Sequence, residues 1–259
     1  MTYQTLSLER RGAVAVITLD RPDAGNSLNM AMAEDLMHVG LECEGDPGVR
    51  CVVITGAGSV FCFGGDLKAM SEQDNLAGFL NALTAKLHAA ISVFNRMRAP
   101  VVAAVNGAAA GAGVGLLAMA DLAIAAKGAK ITLAYTGVAL TPDGSSTYFL
   151  PRMVGRRRAL ELMLTNRALS AEEACEWGLL NQVVPGESLM ADALALADRL
   201  AAGPTGAFGA TKRLLLSSED NSLEAQMALE GRTIAAQGNS GEGKEGVSAF
   251  LAKRRPDYR

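Results

Sequence analysis

The sequence has few of the residues that build metal centres and histidine-based catalytic sites. Only two histidines, His38 and His88, occur in 259 residues, and the four cysteines form no CxxC pair. The sequence therefore offers few ligands for a zinc site and few residues for a histidine-dependent triad, and no metal is expected. The N-terminus also lacks the apolar stretch of a signal peptide, and together with the cysteine pattern this predicts a reduced, cytoplasmic setting.

Strong charge bias and nucleotide-binding motifs are missing as well. The net charge is −3, so bulk charge does not support binding to nucleic acid or to an anionic membrane. The run GAGVG at 111–115 lacks the last glycine of a dinucleotide fingerprint because Leu116 stands there, and no Walker A motif occurs. The apolar run 101–120 is long enough to span a bilayer, but its alanine and glycine content favours a buried strand followed by a helix.

The spacing of apolar segments predicts an α/β core followed by a helical region. Apolar runs at 5–9 and 13–19 predict a β-hairpin. Further apolar strands without alternation are separated by helices, which is typical of a mainly parallel sheet covered on both faces. After residue 144 the pattern is helical almost to the end. We predict a core over 1–190 and a helical C-terminal region over 191–259.

Two glycine-rich loops present backbone amides that a ligand can approach. The first amides of the helix beginning near Gly111 have no partner within that helix, and FGGD at 63–66 supplies further bare amides directly after a strand. If the two loops meet, they form an oxyanion hole for a developing negative charge. Tight helix packing that requires glycine and alanine explains the same residues equally well.

Five ordered segments of the chain resemble the enoyl-CoA hydratase/isomerase (crotonase) superfamily. They are ITLDRP…NSLN, VVITGAGSVFCFGGDL, APVVAAVNGAAAGAGVGLLAMADLAIAA, LTNRALSAEEACEWGLLNQVV and EGVSAFLAKRRP. The resemblance implies an α/β fold with a crotonase-like ββα spiral core and a helical C-terminal trimerisation region. It also implies a homotrimer or a dimer of trimers that acts on acyl-CoA thioesters, with coenzyme A as part of the substrate and no other cofactor.

The same resemblance assigns site residues position by position. The backbone amides of Gly65 and Ala112 would hold the thioester oxygen, and Asp143 matches the lone catalytic aspartate of branches that lack the hydratase glutamates. Substrate or CoA contacts are implied for Ala24, Phe63, Gly64, Asp66, Leu67, Gly115, Tyr135, Phe250 and Lys253. The last two would come from the C-terminal helix of a neighbouring subunit.

The chain departs from the family hydratases at both glutamates that position and activate water. Gly115 and Tyr135 occupy those two positions. Neither residue can act as a carboxylate base. Because syn addition of water needs an acid and a base on one face of the substrate, we do not expect a hydratase.

Asp143 is then the remaining candidate for proton transfer. Between residues 101 and 160 the only other acid is Asp121, which is structural by resemblance. The branches with a lone aspartate are the 1,2-epoxyphenylacetyl-CoA isomerase type and the 4-chlorobenzoyl-CoA dehalogenase type. We predict a double-bond isomerase of enoyl-CoA thioesters in which Asp143 shuttles a proton between two carbons.

Three other interpretations of Asp143 stay open. The residue can simply cap the helix that follows the PDG turn. It can also be the nucleophile of a dehalogenase, although the family histidine falls near Ser92, with His88 one turn earlier. Finally, the chain can be a non-catalytic acyl-CoA-binding homologue.

Overall fold

The strands form where the sequence has short apolar runs. A computed structural model describes residues 2–258, and it contains β1 (Leu6–Arg11), β2 (Val14–Leu19), β3 (Cys51–Gly56), β4 (Val60–Cys62), β5 (Val101–Val105), β6 (Ala108–Ala110), β7 (Leu122–Ala126), β8 (Lys130–Thr132), β9 (Leu169–Ser170) and β10 (Gln182–Val184). The antiparallel pairing of β1 with β2 confirms the predicted hairpin. Strands β4 and β6 were not predicted, because their residues read as parts of loops, and β9 and β10 were not predicted because the chain after residue 144 reads as helical.

The helices alternate with the strands as far as β10 and then continue alone. They are α1 (Met30–Gly45), α2 (Leu67–Ser71), α3 (Leu76–Arg96), α4 (Ala112–Ala118), α5 (Ser146–Val154), α6 (Arg156–Thr165), α7 (Ala171–Glu176), α8 (Leu189–Ala201), α9 (Thr205–Ser218), α10 (Leu223–Asn239) and α11 (Gly241–Leu251). The predicted helical character after residue 144 is confirmed, and only the short α2 was missed before that point.

A six-stranded sheet forms the centre of the fold. Its order is β1-β2-β3-β5-β7-β10, and every neighbouring pair except β1–β2 is parallel. Successive residues of a strand face opposite sides, so Ile54 packs in a core with α1 and α3 while Val53 packs with α8. Both faces are therefore covered, as the unbroken apolar strands predict.

A second, smaller sheet positions the glycine-rich loops. Its order is β4-β6-β8-β9, with β4, β6 and β8 parallel. The apolar run 101–120 is divided among β5, β6 and α4, so it forms no single membrane-spanning helix. By length and composition one helix of the described residues, α3, could cross a membrane, with a mean hydropathy of 1.3. The same features occur in core helices of other proteins, and α3 packs on the central sheet.

The last three helices are joined to the core mainly through polar contacts of α9. The Nζ atom of Lys212 lies 2.7 Å from a carboxylate oxygen of Asp121 and donates to the carbonyl oxygens of Phe94 and Ala99 at 3.2 Å. The same carboxylate accepts a 2.7 Å hydrogen bond from the amide of Val101. Asp121 is thus a structural residue. Helix α8 covers the central sheet, and the division at residue 190 stays a prediction.

Candidate active site

The two glycine-rich loops meet through their backbones. Gly64 has a φ of +85°, and a Cβ atom there would lie 2.7 Å from the carbonyl oxygen of Ala110 and 2.8 Å from the amide nitrogen of Ala112. Only glycine allows this approach, because a side chain would clash and the φ angle is unfavourable for other residues. The structure therefore brings the loop after β4 against the start of α4, as required for an oxyanion hole.

The amides of Gly65 and Ala112 face one cavity of about 250 Å³. Within residues 2–258, neither amide donates a hydrogen bond to the protein. Gly65 is held in place by its neighbours, since the amide of Leu28 donates to Gly64 at 2.7 Å and the amide of Asp66 donates to Leu28 at 3.0 Å. Two fixed, unpartnered amides in one cavity can stabilise an oxyanion.

Asp143 lies in the wall of the same cavity. Its side chain does not cap α5, because the residue at the N-cap position is Ser145 and no side-chain cap bond forms. The backbone carbonyl of Asp143 instead accepts the amide and hydroxyl groups of Ser146 at 3.2 and 2.7 Å. The helix-cap interpretation of the carboxylate is therefore wrong, and the carboxylate is available for other contacts.

The carboxylate of Asp143 is paired with His88, which the sequence placed one turn away from the family histidine position and did not assign to the site. Nε2 of His88 lies 2.7 Å from Oδ1 of Asp143. His88 is on α3, one residue after Leu87 and one turn after Thr84, both of which line the cavity. The resemblance placed the family histidine position near Ser92, but in the structure it is His88, one helical turn earlier, that contacts Asp143. That spacing along α3 is the signal that could have identified His88.

Gly115 is packed under the loop that carries Asp143. A Cβ atom at Gly115 would overlap the carbonyl oxygen of Gly144, so the position cannot hold a side chain while the loop keeps this path. Gly115 is buried and does not line the cavity. The structure therefore corrects the predicted substrate contact at Gly115. The missing hydratase glutamate is replaced here by backbone from the neighbouring loop.

Tyr135 faces the cavity beside Asp143. Its hydroxyl oxygen is buried and has no hydrogen-bond partner in the part of the chain that the structure describes. Burial, and next the negative charge of Asp143, raise the pKa of Tyr135 well above its ordinary value. The phenol therefore stays protonated and can donate a hydrogen bond, but it cannot replace a carboxylate base.

A second, smaller opening adjoins the first. This cavity of about 140 Å³ is lined by Phe63 and Leu67 and shares Gly65 and Tyr135 with the cavity of Asp143. The Phe63 ring is 50% exposed and lies so close to Gly25, the residue after Ala24, that no side chain fits there. The structure thus places Phe63 and Leu67 beside Gly65 in one cavity, whereas the predicted contact of Ala24 with CoA stays a prediction.

Five other predicted contact residues are absent from the lining of both cavities, namely Ala24, Gly64, Asp66, Phe250 and Lys253. The carboxylate of Asp66 accepts from the amide of Ala69 at 3.0 Å and pairs with Arg21 at 2.9 Å. Burial alone would raise the pKa of Asp66, but these donors outweigh it and lower the pKa. Phe250 is 83% exposed on α11, and Lys253 follows that helix. Their role toward a neighbouring subunit's site stays a prediction.

Comparison with known proteins identifies the family. The enoyl-CoA hydratase/isomerase family model matches residues 9–259. A "probable enoyl-CoA hydratase" of Rhodobacter capsulatus is 40% identical over 261 residues, covering 100% of this chain and 99% of the relative. The 1,2-epoxyphenylacetyl-CoA isomerase of Escherichia coli is 40% identical over 254 residues, covering 95% and 94%.

Two further similarities agree with that match. 4-Chlorobenzoyl coenzyme A dehalogenase-2 of an Arthrobacter species is 32% identical over 250 residues, covering 96% of this chain and 91% of the relative. A crystal structure of enoyl-CoA hydratase from Mycobacterium smegmatis superposes with a TM-score of 0.93 at 34% identity, covering 98% of this chain and 99% of that chain. The predicted crotonase-like α/β fold is confirmed by such structures. This chain belongs to the enoyl-CoA hydratase/isomerase family of acyl-CoA enzymes.

Proposed function

We propose that the chain is an isomerase that moves the double bond of an enoyl-CoA thioester. The observation that carries this proposal is that Asp143, alone among the carboxylates of residues 2–258, lines the cavity of the Gly65 and Ala112 amides. The two amides hold the thioester oxygen, which makes the α-protons of a 3-enoyl-CoA acidic. Asp143 removes one of them, giving a dienolate, and returns a proton to the γ-carbon.

The contact between His88 and Asp143 supports this role. His88 contacts Oδ1 of Asp143, so the hydrogen bond leaves the second carboxylate oxygen for the substrate. A carboxylate fixed in this way can reach first the α-carbon and then the γ-carbon without a second base, because both lie on one side of a planar dienolate. The mainly apolar wall, which includes Met70, Leu83 and Leu87, favours an apolar acyl group.

Hydration is the activity that the geometry favours least. It requires two carboxylates around the attacking water, and only one carboxylate is present in this cavity. A glutamate at position 115 would need the space that Gly144 occupies. The name of the Rhodobacter relative therefore does not decide the reaction of this chain.

The His88–Asp143 contact also favours a second candidate, a 4-chlorobenzoyl-CoA dehalogenase-like hydrolase. In that reaction Asp143 attacks the ring carbon that carries chlorine, chloride leaves, and an aryl ester forms. His88 then takes a proton from the water that hydrolyses the ester. Tyr135 would pack against the ring. This candidate ranks second because it needs an activated haloaromatic ring, whereas isomerisation needs only the amides and one carboxylate.

Product mass separates these reactions. The purified chain is incubated with 3-enoyl-CoA, 2-enoyl-CoA and 4-chlorobenzoyl-CoA and followed by absorbance and mass spectrometry. We expect a conjugated product of unchanged mass from 3-enoyl-CoA. A product heavier by one water would refute the isomerase, and exchange of chlorine for hydroxyl would establish the second candidate. Binding of CoA ligands with no reaction would identify a non-catalytic homologue.

We also propose that the active assembly is a homotrimer or a dimer of trimers in a reduced, cytoplasmic setting. Coenzyme A enters as part of the substrate, and no other cofactor or metal takes part. The support is the set of exposed apolar side chains on the last helices, Leu223, Met227, Ile234 and Phe250. In this assembly Phe250 and Lys253 contact the CoA of a neighbouring subunit. Sedimentation that finds only monomer would contradict it.

A further inference from the structure

The His88–Asp143 pair stands between two separate cavities. Asp143 lines the cavity that contains the Gly65 and Ala112 amides. His88 lines a different cavity, also of about 250 Å³, and among residues 2–258 none lines both this cavity and the cavity of Asp143. The 2.7 Å contact between Nε2 of His88 and Oδ1 of Asp143 therefore joins them through hydrogen-bonding groups.

The two cavities differ in their access to solvent. Both are lined by a mixture of apolar and polar side chains, and the cavity of His88, which also contains Ser92, Asn95 and Arg96, is the more open of the two. The side chain of His88 is 52% exposed, and that of Asp143 is 31% exposed. Water can enter the more open cavity and contact His88, while the acyl group of the bound substrate occupies the cavity of Asp143. Solvent protons therefore reach His88 more readily than Asp143 during turnover.

We propose that His88 relays protons between Asp143 and water in the cavity that His88 lines. The proposal rests on the proposed isomerase function and deepens it. The relay uses the neutral tautomer of His88 that carries its hydrogen on Nδ1 and has a lone pair on Nε2. After Asp143 takes the α-proton, its carboxylic acid gives that proton to this lone pair. The resulting imidazolium releases a proton from Nδ1 to water. The reverse sequence brings a solvent proton to Asp143 before the γ-carbon is protonated.

The relay decides which hydrogen the product receives. Without His88, Asp143 is enclosed by the bound acyl group and the cavity wall, so it returns the same hydrogen to the γ-carbon. With His88, that hydrogen exchanges with solvent while the dienolate is bound. His88 is thus a positioning residue that acts through Asp143. It changes the isotopic outcome more than the rate.

Isomerisation in D₂O tests this assignment. Wild-type chain converts 3-enoyl-CoA to 2-enoyl-CoA, and the deuterated fraction of the product is measured by mass spectrometry at low conversion. We expect most wild-type product to carry one deuterium. His88→Gln keeps a hydrogen bond to Asp143 but cannot relay protons, so we expect the deuterated fraction to fall about tenfold. His38→Gln removes the chain's other histidine, exposed on α1, and serves as the matched control.

A second variant separates relay from folding and orientation. His88→Ala leaves space for imidazole, and added imidazole should restore the deuterated fraction. If His88 only oriented Asp143, the product formed by His88→Gln would have the same deuterated fraction as the wild-type product. That result would overturn the relay. Unlabelled wild-type product would overturn it as well. A wild type that does not isomerise at all would instead refute the proposed function, and the relay would fall with it.

Discussion

Glycine has opposite surroundings in the active-site core and in helix α10. In the core, a Cβ atom at Gly64 or Gly115 would meet the backbone of a neighbouring segment, and Gly144 packs against Ala112. In α10, a Cβ atom at Gly231 would meet no atom within 4 Å. The core glycines therefore mark places where two backbones approach to form the site. Within one chain, no close approach of another backbone explains the glycine at position 231.

The largest effect on stability is expected where α9 joins the C-terminal helices to the core. Lys212→Ala removes the cation that pairs with the largely buried Asp121 carboxylate, so we expect a loss of about 3 kcal/mol in the free energy of unfolding. Urea titrations measure it, with Lys244→Ala on exposed α11 as the matched control. An equal, small loss in both variants would mean that this pair does not hold α9 to the core.

The loss of unfolding free energy in Lys212→Ala should depend on pH. Burial raises the pKa of Asp121 even with Lys212 beside it. A carboxyl group whose folded pKa lies above its unfolded pKa destabilises the fold when charged, and this cost disappears as the pH falls through the folded pKa. The variant should therefore recover stability relative to the wild type at acid pH. A deficit that grows on acidification would contradict this assignment.

The next effect concerns the packing beneath the catalytic loop. Gly115→Ala places a methyl group against the carbonyl oxygen of Gly144 and so displaces the loop of Asp143. We expect a loss of about 2 kcal/mol in stability, although alanine is the better helix former. Isomerase turnover should fall as well. A variant as stable and active as the wild type would show that the loop does not need this close approach.

The smallest effect should have the opposite sign. Gly231→Ala fills open space in the middle of α10, so we expect a gain of about 0.5–1 kcal/mol from helix propensity. Thermal unfolding together with sedimentation measures stability and assembly. A loss of stability, or of the proposed trimer, would show that a neighbouring subunit covers Gly231, which would remove the contrast with Gly115.

Local patterns in the sequence predicted much of this molecule. Apolar strands such as Cys51–Gly56 can be buried on both faces only in a covered parallel sheet, so the architecture follows from composition. The glycines at 64 and 65 and the turn before α4 left two interpretations open, a meeting of two loops and tight helix packing, and the structure shows that the loops meet. Asp143 stood out because few acids occur in that part of the chain.

Features that depend on distant contacts were not predictable in this way. His88 lies 55 residues from Asp143, and an error of one helical turn in its alignment concealed the pair. The burial of Gly115 depends on the path of the Gly144 loop, which no local pattern encodes. The cap interpretation of Asp143 failed because the loop turns its carboxylate toward α3 rather than α5.

Replacement of one carboxylate tests the central claim most directly. Isomerisation of 3-enoyl-CoA is measured for wild type, Asp143→Asn and Asp74→Asn, the last an exposed aspartate before α3. We expect Asp143→Asn to lose about 1,000-fold in turnover while binding CoA ligands as before, and Asp74→Asn to match the wild type. An Asp143→Asn variant that isomerises within about threefold of the wild-type rate would contradict proton transfer by Asp143.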